Sequence, residues 1–191
     1  MKDAFFLYCS TVAVSVWCAL QATPAEAQVR YIDHVPTRQE IRESLGLQAR
    51  QGATAWGTGS SRRAKGIEWS VPAEPAEPSA GPALALPVAF ERGTAHLSKS
   101  SLAYLRAVAD VMADHPGLKI AVEGHTDGTG DPRANFVLSW ERSLAVFRAM
   151  VDRYGIDPER LQPVGKGATE PLHDADPSQG INRRVQFRTI G

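Results

Sequence analysis

Two oppositely charged residues, Asp127 and Arg142, have the types and the spacing expected of a small binding site. Asp127 lies in a loop beside Gly128 and Gly130, and Arg142 follows it by fifteen residues. Glycines let a loop backbone approach a ligand closely. A carboxylate and a guanidinium that face one cavity fit a zwitterion, because the carboxylate accepts from an ammonium group while the guanidinium clasps a carboxylate with two parallel hydrogen bonds.

The segment that contains Arg142 is predicted to be helical. At about 100° per residue, Asn135, Leu138 and Arg142 share one narrow strip beside its apolar face. An arginine at such a boundary needs a partner. The alternative to a ligand is an ordinary surface ion pair with Glu141 or Glu123. Such an exposed pair contributes only about 0–1 kcal/mol.

Metal and hydrolytic sites are the competing interpretations of the polar residues near Asp127. His125 and Asp127 point to the same side of an extended segment and could join His173 and Asp174 around a metal ion. No His-x-x-x-His pair or convergent third ligand supports that site. Ser139 lacks nucleophile-elbow spacing, and inside a helix its hydroxyl is expected to bond back to the preceding turn. We therefore expect no catalytic residue, no metal and no cofactor.

Hydrophobic periodicity between residues 84 and 191 predicts the elements that position these residues. One helix is expected to follow an N-cap at Ser98, and a second runs from an N-cap at Asp131 to Gly155. The second helix should bury an arc made of Phe136, Trp140, Ser143, Phe147, Met150, Val151 and Tyr154. Strands are expected at 84–90, 119–123, 161–165 and 184–190. The predicted fold class is α/β, with the element order β-α-β-α-β-β.

The same region contains several short motifs in a fixed order. They are GHTDGTG at 124–130, LS at 138–139 followed by Arg142, YGID at 154–157, GKG at 165–167 and NRRV at 182–185. In this order and spacing they resemble the OmpA-like peptidoglycan-binding domain. For the domain at 84–191, the resemblance implies a β-α-β-α-β-β two-layer sandwich. It also implies non-covalent binding of the meso-diaminopimelate side chain in the stem peptide of the Gram-negative cell wall.

The resemblance further implies roles for individual residues. Asp127 matches the family's aspartate that binds the ammonium of diaminopimelate, and Arg142 matches the arginine that binds its carboxylate. The supporting ligand shell and the aromatic of the first strand are matched by Thr126, Asn135, Leu138 and Phe90. Two interpretations stay open for Asn182, Arg183 and Arg184: a solvated start of the last strand, or a role in shaping the ligand loop or contacting glycan.

The composition excludes several classes of protein. The 191 residues allow one medium-sized domain with shorter additional segments. Because 21 basic side chains balance 21 acidic ones, no nucleic-acid partner is expected. The only cysteines are Cys9 and Cys18, so the rest of the chain can form neither an internal disulfide nor a thiolate metal cluster.

Residues 1–27 are predicted to be a cleaved secretory signal peptide. An apolar run at 4–20 precedes Ala-Glu-Ala at 25–27, which supplies the small residues that signal peptidase needs. Cleavage would place the protein in the periplasm, or in association with the outer membrane, of a Gram-negative bacterium. The alternative is an uncleaved membrane anchor, for which the run is slightly shorter than the ~20 residues of a spanning helix.

Two shorter segments are expected between the signal peptide and the domain. Residues 28–70 are basic and partly disordered, because QGATAWGTGSS at 51–61 offers little apolar surface for burial. Thr37 and Glu40 form a candidate capping box for one short helix in this segment. Residues 71–83 repeat Pro, Ala and Glu, which predicts an extended, semi-rigid linker.

Together these features predict an exported, non-enzymatic module that tethers the protein to peptidoglycan. Residues 28–70 are a candidate contact for an envelope protein partner. The alternative function is a structural or interaction component of an envelope machine that uses the domain only for positioning. A stator-like membrane subunit is one such component, and a mature protein beginning at Gln28 would exclude it.

Overall fold

One mixed β-sheet forms the centre of the fold. A computed structural model describes residues 29–47, 81–91, 94–172 and 176–190. Within these ranges the elements are β1 (Val29–Tyr31), α1 (Arg38–Ser44), β2 (Ala83–Leu86), α2 (Ser101–Asp114), β3 (Ile120–His125), α3 (Pro132–Tyr154), β4 (Leu161–Gly167) and β5 (Val185–Thr189). The strand order across the sheet is β1-β2-β5-β3-β4. The two outer pairs are parallel, and β5 is antiparallel to both of its neighbours.

The apolar core lies between the sheet and the helices. Alternate residues along three strands join it: Leu84, Leu86, Ile120, Val122, Val185 and Phe187. The helices contribute, among others, Ile41, Leu105, Met112, Val146 and Met150. From β2 to β5, the predicted β-α-β-α-β-β order is confirmed. The first strand is shorter than predicted, since it ends at Leu86 and Phe90 makes only an isolated bridge with Leu97.

Helix α3 begins and ends where its local signals predict. The side chain of Asp131 accepts from the N–H of Ala134 at 2.8 Å, and Pro132 occupies the first turn. Gly155 ends the helix with φ 67°, a left-handed conformation that favours glycine. Most of the predicted arc is buried, whereas its last two members, Val151 and Tyr154, are half-buried.

Helix α2 begins later than predicted, and the capping role expected of Ser98 is wrong. The N-cap residue is Ser100, and its side chain makes no capping bond. The Ser98 hydroxyl lies 3.0 Å from that of Ser101. The hydroxyl of Ser101 accepts from the N–H of Ala89 and donates to the carbonyl of Ala89, each at 2.8 Å. These serines therefore tie the start of α2 to the chain that follows β2.

The beginning of the N-terminal segment is part of the same fold, which corrects the expected boundary. Strand β1 pairs in parallel with β2, and α1 packs against α2. Ile41 and Leu45 are buried in the common core. The expected separation of residues 28–70 from the domain therefore does not hold for 29–47, because an edge strand and two buried apolar side chains join them to it.

The capping box predicted for α1 is present. The hydroxyl of Thr37 accepts from the N–H of Glu40 at 3.3 Å, and the Glu40 carboxylate accepts from the N–H of Thr37 at 2.8 Å. The predictions for residues 1–27, 51–61 and 71–80 lie outside the described residues. The linker predicted at 71–83 extends too far, because strand β2 already begins at Ala83, which is buried. Within the described ranges, no helix is both long and apolar enough to cross a membrane.

Candidate ligand-binding site

Helix α3 lies very close to the end of β4, which fixes the strip of the helix that faces the site. A Cβ on Gly165 would lie 2.9 Å from the backbone nitrogen of Trp140, so only glycine allows this approach. The hydroxyl of Ser139 donates to the carbonyl three residues earlier at 2.8 Å, as the sequence predicts. The same hydroxyl accepts from the N–H of Gly167 at 2.8 Å, which fastens the helix to the strand.

Arg142 lies at the edge of the core and makes no ion pair with the described residues. Its guanidinium carbon is 5.0 Å from the centre of the Phe90 ring, a cation–π distance. Its Nε donates to the carbonyl of Thr94 at 3.4 Å. The surface ion pair with Glu141 or Glu123 is not formed, and Glu123 is buried and paired with a different arginine.

Asp127 is paired with Arg183, a partner that the sequence did not reveal. Its Oδ2 accepts from Nη1 of Arg183 at 2.7 Å, and its Oδ1 accepts from the hydroxyl and the N–H of Thr129. Only 13% of the Asp127 side chain is exposed, against 57% of Arg183. Burial raises the pKa of Asp127, but the bonds from Thr129 and Arg183 outweigh it and hold this pKa below its ordinary value. The carboxylate is therefore charged at neutral pH and already binds a cation.

Asp127 and Arg142 interact electrostatically across the site. Burial is the main cause of the lowered pKa of Arg142, and the charge of Arg183 lowers it further, while the charge of Asp127 acts in the opposite direction. Two guanidinium groups thus share this part of the surface with one carboxylate. The remaining positive charge favours an anionic group near Arg142.

The loop between β3 and α3 is braced by Asn135. Its amide donates to the carbonyls of Asp127 at 3.3 Å and Thr129 at 2.8 Å. Gly128, which we expected to leave room for a ligand, instead donates its N–H to the carbonyl of Pro177 at 2.7 Å. A Cβ at Gly128 would lie 3.1 Å from Pro177, so this glycine serves the contact between two loops.

The Asn-Arg-Arg motif shapes the site, and a solvated strand start is the wrong interpretation for two of its residues. Asn182 is 1% exposed and Arg184 is 3% exposed. The amide of Asn182 donates to two carbonyls at 176–177, and its oxygen accepts from the N–H of Leu172 at 2.8 Å. Only Arg183 is exposed, and it forms the ion pair with the aspartate.

A cavity of about 260 Å³ opens beside these arginines. It is lined by residues 87–90, His125, Arg142, Gly180, Arg183 and Arg184. Of the predicted ligand residues, the cavity brings together Phe90 and Arg142, and Asp127 adjoins it through Arg183. Thr126 is buried and Leu138 is half-buried, and neither of them lines the cavity.

His125 is buried at the cavity without the partners of a metal site. Burial lowers its pKa well below the ordinary value, and nearby cations, chiefly Arg184, lower it further, while the Glu170 carbonyl has the opposite effect. His173 and Asp174, its proposed co-ligands, lie outside the described residues. Among the residues that are described, no three His, Cys, Asp or Glu side chains are grouped as a metal ion would require.

Comparison with known proteins places this region of the chain in context. Residues 89–184 match the OmpA family. Outer membrane porin F of Pseudomonas aeruginosa is 36% identical over 103 residues, which cover 53% of this chain and 29% of the porin. Peptidoglycan-binding protein ArfA of Mycobacterium tuberculosis is 30% identical over 133 residues, covering 63% of this chain and 40% of the relative.

The chain spans less than half the length of these curated relatives. Among solved structures, the peptidoglycan-associated lipoprotein from Burkholderia pseudomallei is similar, with 27% identity and a TM-score of 0.47. The similarity covers 54% of this chain and 88% of that one. Since the family match extends over half of its residues, from the chain after β2 to the start of β5, this protein belongs to the OmpA family.

Proposed function

We propose that the domain binds peptidoglycan non-covalently by holding diaminopimelate between Asp127 and Arg142. The side chain of diaminopimelate ends in an ammonium and a carboxylate on one carbon, which is the zwitterion that such a pair fits. The observation that carries the proposal is Arg142, a half-buried guanidinium that lines a cavity beside a charged aspartate and makes no ion pair with the described residues. The mycobacterial relative, whose name states peptidoglycan binding, supports this assignment.

Binding at Asp127 then proceeds by exchange. The ammonium of the ligand takes the place of the Arg183 guanidinium, which now lies 2.7 Å from the carboxylate. Because 57% of the Arg183 side chain is exposed, the displaced guanidinium returns to water with little desolvation to overcome. The ligand carboxylate meanwhile pairs with Arg142, where burial strengthens a charge-assisted hydrogen bond.

We also propose that the protein is exported to the periplasm and acts there without catalysis. The similarity to an outer membrane porin supports this location. An envelope protein partner of residues 28–70 would contact either the exposed side of 29–47 or the segment that follows it.

The test is a pull-down of the chain from Gln28 onward with purified peptidoglycan that contains meso-diaminopimelate, with and without free diaminopimelate as competitor. Asp127→Asn and Arg142→Ala should each weaken binding at least tenfold. Removing one partner of a desolvated charge pair costs ~2–5 kcal/mol, which exceeds the ~1.4 kcal/mol of a tenfold change. Arg142→Lys should remain clearly defective, because lysine keeps the charge but lacks the planar two-pronged donor.

Arg148→Lys is the matched control, since Arg148 is exposed on the same helix and should bind as the wild type does. Melting temperatures of the site variants should stay close to that of the wild type, because the buried arc of α3 is unchanged. Equal binding of diaminopimelate-type and lysine-type peptides by the wild type would contradict the proposal. Unchanged binding in all three site variants would contradict it as well.

A further inference from the structure

Arg184 lines the same cavity as Arg142, and the proposed diaminopimelate site does not use it. We propose that Arg184 binds a second carboxylate of the same stem peptide. This inference rests on the proposed function, since it requires the peptide to be held at Asp127 and Arg142.

Arg184 is buried but only partly hydrogen-bonded. Its Nη2 donates to the Glu170 carbonyl and to Oε1 of Gln186, each at 3.2 Å. Its Nε and Nη1 are buried and bond to no described residue. Buried donors without an acceptor are costly, and native proteins nearly always satisfy them. The N–H groups of Nε and Nη1 point to different edges of the guanidinium, so either of them can donate a single charge-assisted hydrogen bond to a carboxylate.

The charged side chains that line the cavity favour an anion, and the carboxylates of Glu170 and Glu123 act on Arg184 from outside this lining. The lining includes Arg142, Arg183 and Arg184 and no aspartate or glutamate. Burial lowers the pKa of Arg184 to about 10, so the guanidinium is still protonated at neutral pH. The pKa of His125 is lowered, chiefly by burial, so its neutral imidazole adds no positive charge to the cavity.

The size of the cavity suits more than one ligand group. Its volume of about 260 Å³ is several times the ~30 Å³ that one water molecule takes up in the liquid. A single carboxylate on Arg142 would leave most of it unfilled. A stem tripeptide of L-alanine, γ-linked D-glutamate and meso-diaminopimelate has two further carboxylates, the α-carboxylate of glutamate and the C-terminal one. Either could reach Arg184 while the side-chain zwitterion occupies Asp127 and Arg142.

Four synthetic tripeptides separate these sources: the unmodified peptide, the two singly amidated peptides and the doubly amidated one. Isothermal titration of the wild-type chain should show at least about tenfold tighter binding of the unmodified than of the doubly amidated peptide, the usual effect of a charge-assisted hydrogen bond. The singly amidated peptide that still binds more tightly than the doubly amidated one identifies the carboxylate that Arg184 binds, because that peptide retains it. Arg184→Gln should abolish the gain and change the affinity for the doubly amidated peptide by less than about threefold.

Arg188→Gln is the matched control for a merely structural effect. Arg188 is a buried arginine of β5 that pairs with Glu123 and does not line the cavity. This variant should lose stability and keep the gain from the second carboxylate. If Arg184→Gln does not fold, Arg184→Met replaces it, and a side chain without any donor should likewise lose the gain.

A gain that persists in the Arg184 variant, or the absence of any gain in the wild type, would overturn the second site. Neither result would contradict the proposed function. The proposed function is tested by the affinity for the doubly amidated peptide, which should depend on Asp127 and Arg142. Failure of that peptide to bind would instead remove the zwitterion site.

Discussion

The docking of α1 makes a quantitative prediction about stability, centred on Ile41. This side chain has no exposed surface and belongs to the common core. Replacing a buried isoleucine by alanine removes apolar contacts and leaves a cavity, and such changes cost about 2–5 kcal/mol. Helix α1 has seven residues, too few to be stable alone, so its order depends on this contact. The free energy of unfolding of Ile41→Ala should therefore fall by about 2–5 kcal/mol.

Urea unfolding of the chain from Gln28 onward, followed by circular dichroism, measures this loss. Ile41→Val should cost about 0.5–1.5 kcal/mol, because it removes one methyl group. Arg38→Ala is the surface control on the same helix. The ion pair of Arg38 with Asp114 at 2.6 Å joins side chains that are 60% and 49% exposed, so its loss should cost about 0–1 kcal/mol. A value for Ile41→Ala within about 0.5 kcal/mol of the wild type would refute the docking of α1.

The other predictions concern pH and processing. As pH falls below about 6.5 the free energy of unfolding should decrease, because the unfolded chain protonates His125 while the folded chain, in which this pKa is lowered, does not. Urea titrations between about pH 7.5 and 5 measure the slope of the free energy of unfolding against pH, and His125→Gln should flatten it. The exposed His34, whose pKa is raised, contributes to this slope with the opposite sign. An unchanged slope in His125→Gln would contradict the role of His125. The mature protein from cell envelopes should begin at Gln28 and carry no lipid, as mass spectrometry would show; an intact Met1 would favour the membrane anchor.

The elements that the sequence predicts best are those whose signals are local. Helix α3 has an aspartate cap, a proline in its first turn and a left-handed glycine at its end, and each acts within a few residues of the boundary. Ser98 shows the limit of such signals, because three nearby serines compete for the cap and a bond to Ala89 decides between them. Strand β1 has only three residues, and its place depends on pairing with residues 83–85, far along the chain.

Some features of the candidate site also follow from local sequence signals, whereas others depend on contacts between distant residues. The strip of α3 that carries Arg142 follows from helical periodicity, and its position against Phe90 agrees with that expectation. The ion pair of Asp127 with Arg183 joins residues 56 positions apart, and no local pattern reports such a contact. The burial of Arg184 likewise depends on the packing around β5, whereas its sequence neighbours suggest an exposed basic cluster.

The position of Gly46 beside Pro82 limits the distance between the domain and a point of attachment at its N-terminal end. A Cβ on Gly46 would lie 2.9 Å from Cγ of Pro82, so the chain leaves and re-enters the fold at nearly one point. The length of residues 48–80 therefore adds nothing to the reach of the domain, although the Pro/Ala/Glu composition of 71–83 is that of a spacer. The distance between the domain and such an attachment point is set by the chain before Val29. If the apolar run at 4–20 stays in a membrane, the eight residues from 21 to 28 can span at most roughly 30 Å, at about 3.5 Å each. A retained anchor would then allow contact only with wall that lies near that membrane, whereas cleavage after Ala27 removes this limit.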